Sequence, residues 1–179
     1  YSAFGTGDFT VEMWLYDLGN SGREAAFFDN RTGQNNAGWA IRTANQGNFL
    51  FIQGGSSTLF TSSTNSRLLN QWQHIALVRY GSGSNNVKLY IDGTLNGQGT
   101  NTYNYSSTYM NLGMFVDWAG AGSCYYGYID EVRVSNNARY TANFTPSTTP
   151  FTSDANTLHL YHMDGSAGGT TFTDAAGHS

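Results

Sequence analysis

Residues 8–16 (DFTVEMWLY) alternate with a period of two. Phe9, Val11, Met13 and Leu15 fall on one face, and Thr10, Glu12, Trp14 and Tyr16 on the other. Side chains alternate across a strand, so this period predicts a strand and argues against a helix. Both faces carry apolar side chains, which places the strand inside a sandwich and not at a wet edge. Similar strands are predicted at 25–29, 38–43, 48–53, 57–61, 72–80, 87–92, 109–115, 124–134 and 157–163. Asp92-Gly93 is the preferred pair for a two-residue type I′ turn, which returns the chain through residues 94–96. No stretch longer than ten residues carries a helical period, and residues 136–141 are the best candidate for a turn or a single helical turn. The expectation is an all-β, two-sheet antiparallel sandwich.

Composition narrows what such a sandwich can do. Charged residues are 11% of the chain, against about 25% in ordinary soluble domains. Asn, Ser and Thr supply 55 of the 179 residues, so polarity is carried by neutral hydrogen-bonding groups. The 8 basic residues are scattered and the net charge is −4, which excludes the clustered cations that nucleic acid requires. Apolar runs reach four residues, far short of the ~20 of a membrane-spanning helix. Cys124 is the single cysteine and reads as a small buried hydrophobe. The first residue is Tyr1, not Met, which predicts a processed or partial product. Pro146 and Pro150 punctuate a Ser/Thr-rich stretch that reads as an extended surface connector.

Four blocks resemble the laminin-G-like branch of the concanavalin A-like lectin/glucanase superfamily. They are Phe9-Thr10-Val11-Glu12-Met13-Trp14, Trp72-Gln73-His74-Ile75-Ala76-Leu77-Val78, Leu89-Tyr90-Ile91-Asp92-Gly93 and Gly127-Tyr128-Ile129-Asp130-Glu131-Val132-Arg133-Val134. Their order and spacing match the family, and the resemblance implies a concanavalin A-like jelly roll over residues 1–145. Residues 146–156 are then a connector. Residues 157–179 form a C-terminal strand and tail that completes the same sandwich or pairs with a neighbour. The tail at 138–146 resembles bacteriophage structural proteins, where a segment like LHLYHMDG at 158–165 opens the next repeat. The resemblance implies a module at a virion surface or outside the cell, in many copies, contacting surface glycan and other assembly subunits.

The superfamily includes hydrolases, whose carboxylates sit in patterns such as E-x-D-x-x-E. Glu12, Glu24 and Glu131 stand in none of these. Asp130 and Glu131 are adjacent on a strand and are expected to face opposite ways. The histidines lack a nucleophile motif, and His159 and His162 lie at i and i+3, wrong for a shared zinc on a strand. The sequence therefore predicts no enzyme. The resemblance implies calcium at Asp130, with Asp164 and Asp174 as further candidate oxygen donors. Sugars stack on aromatic rings and bond to neutral amides and hydroxyls. Trp39, Trp118, Tyr125 and Tyr126 are the candidate ligand platforms, Trp118 in a Gly-rich loop and Trp14 and Trp72 assigned to the core. The function expected is non-catalytic glycan binding, with structural decoration through protein–protein contacts as the alternative.

Overall fold

The computed structural model describes residues 3–19, 24–33, 38–43, 50–54, 57–115 and 124–177. Among these, eleven strands form and no helix does. They are β1 Phe9–Asp17, β2 Ala26–Asp29, β3 Trp39–Thr43, β4 Leu50–Gly54, β5 Ser57–Thr61, β6 Trp72–Arg79, β7 Val87–Ile91, β8 Thr94–Gly99, β9 Asn111–Leu112, β10 Gly127–Ser135 and β11 Thr157–Tyr161. A six-stranded sheet runs β11-β10-β1-β6-β7-β8 and a five-stranded sheet runs β5-β4-β3-β2-β9. The pairings between the described strands are antiparallel.

The odd-numbered face of β1 meets the second sheet. Phe9, Val11, Met13 and Leu15 join Phe28, Trp39, Ile41, Ile75, Leu77, Val132 and Val134 in one buried core. Phe9 stacks on Trp39 at 5.2 Å, and Trp39 stacks on Phe28 at 4.7 Å. Each such fully buried side chain contributes about 1.5–3 kcal/mol. Asp92 and Gly93 both take positive φ, 49° and 75°, and Ile91 pairs with Thr94. This is the two-residue turn that Asp-Gly favours.

Three local expectations need correction. The strand predicted at 109–115 shrinks to Asn111–Leu112, ended on its C-terminal side where Gly113 turns to φ 73°, outside the strand region. Residues 136–141 form bends without a helical turn. Cys124 is exposed, held by an isolated bridge to Met114, and is not a core residue.

The segment between β10 and β11 crosses the outer face of the six-stranded sheet. Tyr140 and Phe144 stack with centroids 3.5 Å apart and pack with Ala138 over Ala76, Val78 and Tyr90. Thr10 Oγ1 donates to the Asn137 carbonyl (2.8 Å), and Arg139 N donates back to Thr10 Oγ1 (2.9 Å). Arg139 also holds Asp154 through both Nη1 and Nη2. The chain then returns as β11, the edge strand beside β10.

Candidate functional site

The outer face of the six-stranded sheet is built in rows that cross β10, β1 and β6. Register sets them as Ser135–Thr10–Val78, Arg133–Glu12–Ala76, Asp130–Trp14–His74 and Tyr128–Tyr16–Trp72. The segment 136–156 covers the first two rows and part of the third. The fourth is an aromatic row: Tyr16 meets Trp72 edge-on at 5.6 Å and Tyr128 at 5.8 Å. Trp72 is 45% exposed and Tyr128 59%.

Between the covered and open rows lies a cleft of about 350 Å³. Trp14 and Trp72 form its aromatic part, Asp130, Glu131 and Asp164 its acidic part, and residues 147–150 its wall. The wall is a tight turn in which Ser147 Oγ donates to the Thr149 carbonyl (2.9 Å) and accepts from Thr149 N (3.2 Å). Trp14 is braced edge-on by the His74 ring at 5.4 Å.

A bulge supplies the acidic side. Glu12 pairs with Arg133 and Trp14 with Asp130, so the register slips by one residue between them. Glu131 takes φ 50° at that point, and one extra residue on a strand re-aims the side chains around it. Asp130 and Glu131 therefore both line the cleft, which corrects the expectation that strand alternation parts them. Glu131 is committed: Oε2 accepts from Phe151 N (2.6 Å) and Oε1 pairs with His162 Nδ1 (2.8 Å). Asp130 uses Oδ1 for the Glu131 N–H (2.9 Å). Burial is the largest cause lifting the Asp130 carboxyl above its ordinary value. The Glu131 and Asp164 charges add to it, while the Glu131 N–H and His162 oppose it.

Beneath the cleft, Glu12 is fully buried. It meets His74 Nε2 at 3.2 Å, Arg133 Nη2 at 2.7 Å and the Tyr140 hydroxyl at 2.8 Å. Burial alone would raise its carboxyl, but the His74 bond, the Arg133 and His74 charges and the Tyr140 hydroxyl hold it below the usual range. This network anchors the covering segment to the sheet.

The three described platforms expected from sequence do not share one open surface. Trp39 is 1% exposed between the sheets and offers no ring face to a ligand, so it is a core residue. Tyr125 turns edge-on to Phe27 at 4.8 Å with its hydroxyl buried, and burial pushes its phenol far up. Tyr126 stands 63% exposed just before β10. Trp118 lies outside the described residues. Trp14 and Trp72, assigned to the core from sequence, are instead at the cleft. The signal was present: Trp14 shares its parity with Thr10 and Glu12, the less apolar face of β1.

The three candidate calcium ligands are not gathered. Asp174 Oδ1 accepts from Leu160 N and Ala176 N, and Oδ2 pairs with His159 Nδ1 at 2.6 Å. Among the described residues no three His, Cys, Asp or Glu side chains converge as a metal site. Asp130 and Asp164 line one cleft, while Asp174 is engaged at β11.

Residues 2–143 match the family model described as the concanavalin A-like lectin/glucanases superfamily. A candidate carbohydrate-binding protein of Bacteroides ovatus superposes with a TM-score of 0.76 at 18% identity, covering 97% of this chain. This chain spans 50% of that structure's length. The CBM40 of a Ruminococcus gnavus IT-sialidase, bound to α2,3-sialyllactose, gives 0.60 at 10% identity over 76% of this chain and 80% of that one. Domain 4 of AbnA, an extracellular GH43 arabinanase of Geobacillus stearothermophilus in complex with arabinotriose, gives 0.55 at 25% identity. That match covers 77% of this chain and 63% of the other. No curated protein sequence matches significantly.

Proposed function

This chain belongs to the concanavalin A-like lectin/glucanases superfamily, and from that premise we propose that it is a non-catalytic carbohydrate-binding module whose site is the Trp14–Trp72 cleft. The observation that carries this reading is the cleft itself: two partly exposed indoles beside carboxylates and a Ser/Thr wall. Pyranose C–H faces stack on aromatic rings, and sugar hydroxyls donate to carboxylates and exchange hydrogen bonds with hydroxyls. The carbohydrate-binding names of structural neighbours support the same class. Glu131 acts as a strut, since both of its oxygens are engaged. Asp130 and Asp164 serve as acceptors. The place of action is extracellular, and the tail's resemblance to phage proteins extends the proposal to a particle surface where many weak contacts act together.

The test is retention of the full chain on a panel of immobilised neutral and charged oligosaccharides. Wild type is expected to be retained by part of the panel, Trp72→Ala to lose at least tenfold in affinity, and Tyr126→Ala to behave as wild type. Retention unchanged in Trp72→Ala contradicts this site, and release of free sugar from the panel contradicts the non-catalytic reading.

A second reading rests on a separate feature. An apolar groove of about 650 Å³ opens between β9 and β10–β11, lined by Met110, Leu112, Ile129, Tyr161, Met163 and Phe172 among others. It favours a structural role in which this side of the sandwich contacts other protein subunits. That role requires an interface above about 1,000 Å², and concentration-dependent self-association in sedimentation is its signature.

A further inference from the structure

We propose that the cleft selects cationic amino sugars over anionic sugars. The inference rests on the carbohydrate-binding reading and adds the charge of the ligand. Among the described residues the cleft is lined by three carboxylates, Asp130, Glu131 and Asp164, and by no Lys or Arg. The guanidiniums on the same face are used elsewhere. Arg133 is held on Glu12 Oε1 at 2.7 Å and donates to the Thr152 carbonyl. Arg139 grips Asp154 and Ser135. His162, the nearby imidazole, is tied to Glu131 Oε1 at 2.8 Å.

Of the acids, Glu131 is spent on the fold, but Asp130 uses one oxygen only, and Asp164 makes no hydrogen bond or ion pair among the described residues. Two carboxylates thus face a cavity whose described lining holds no guanidinium or ammonium, and the His162 imidazole beside it is paired with Glu131. An anionic sugar entering it meets like charge from Asp130 and Asp164. A protonated amine on a pyranose ring stacked on Trp72 meets opposite charge from these two carboxylates. The indoles add to this preference, because ring faces attract cations and not anions. The upward displacement of the Asp130 carboxyl, caused by burial and by the neighbouring Glu131 and Asp164 charges, is consistent with a pocket short of positive charge.

The test compares three probes by titration calorimetry on the full chain at about pH 5.5, where ordinary carboxylates are largely ionised and the weakly basic amines of an amino sugar largely protonated. They are a β1,4-glucosamine tetramer, cellotetraose with the same backbone and a hydroxyl in place of the amine, and 3′-sialyllactose. The expected result is binding of the glucosamine tetramer roughly fivefold tighter than cellotetraose, an amount in keeping with a partly exposed ion pair. Added salt is expected to shrink that ratio, and Asp164→Asn to bring it close to one while cellotetraose still binds. Equal affinity for the two tetramers, both lost in Trp72→Ala, overturns the charge selection and leaves the carbohydrate-binding reading intact. Tightest binding of sialyllactose overturns it in the same way. Absence of binding by all three overturns both.

Discussion

Glu12 shows how much of this fold depends on single charged groups. It is wholly buried, yet three partners answer its charge: His74, Arg133 and Tyr140. Removing one member of a buried ion network leaves the others unpaired, which costs about 3–5 kcal/mol. Glu12→Gln is therefore expected to lower stability by about that amount in urea denaturation and to loosen the segment that Tyr140 anchors. The pH dependence follows from the direction of its shift. Its carboxyl titrates lower in the folded chain than in the unfolded chain, so the stabilisation is present above the ordinary carboxylate range and is lost as pH falls through the folded value. Wild type should lose stability on acidification where Glu12→Gln has lost this contribution already; parallel acid-denaturation curves for the two would contradict the network. At the cleft, alternation placed Trp14 opposite Met13, but telling an exposed indole from a buried one requires knowing which face the second sheet covers. Trp39 failed as a platform for the same reason, because its neighbours Phe9 and Phe28 are brought together only by the fold.

Among the elements, the strands with clear alternation were legible almost to the residue. β1, β5, β6 and β7 begin and end within one position of the periods in the sequence. β9 was not, because Gly113 ends it by a backbone choice that pattern alone does not reveal. The bulge at Glu131 was also invisible, since alternation assumes an unbroken register, and its consequence was the missed acidic side of the cleft. The covering segment makes a further demand on the β7–β8 turn. Phe144 N donates to the Gly93 carbonyl at 2.9 Å, and a Cβ on Gly93 would overlap the Phe144 carbonyl oxygen. Gly93→Ala is expected to cost roughly 2–4 kcal/mol, from the positive φ and the overlap together. It should also speed proteolysis within 138–150. Unchanged melting and cleavage would show that the segment is not fastened at this turn.

At the scale of the molecule, low charge content has a structural reading. The described arginines are largely occupied within the fold: Arg31 by Asp29, Arg42 by Glu24, Arg67 by Asp17, Arg79 by the carbonyls of Gly5, Gly7 and Tyr103, and Arg133 and Arg139 on the covered face. The proposed cleft is aromatic, hydroxylic and locally acidic. Fold class could be read from sequence, because it follows from the period of the strands. The proposed cleft could not, because it is made by a segment crossing one sheet, a register slip and two indoles on strands that pair only in the folded chain. Four tryptophans, Trp14, Trp39, Trp72 and Trp118, give four indole N–H signals, so an NMR titration of the full chain with the glucosamine tetramer and with cellotetraose reads the site directly. The account predicts saturable shifts at Trp14 and Trp72 and an unmoved Trp39; shifts confined to Trp118, or equal small shifts at all four, would contradict it.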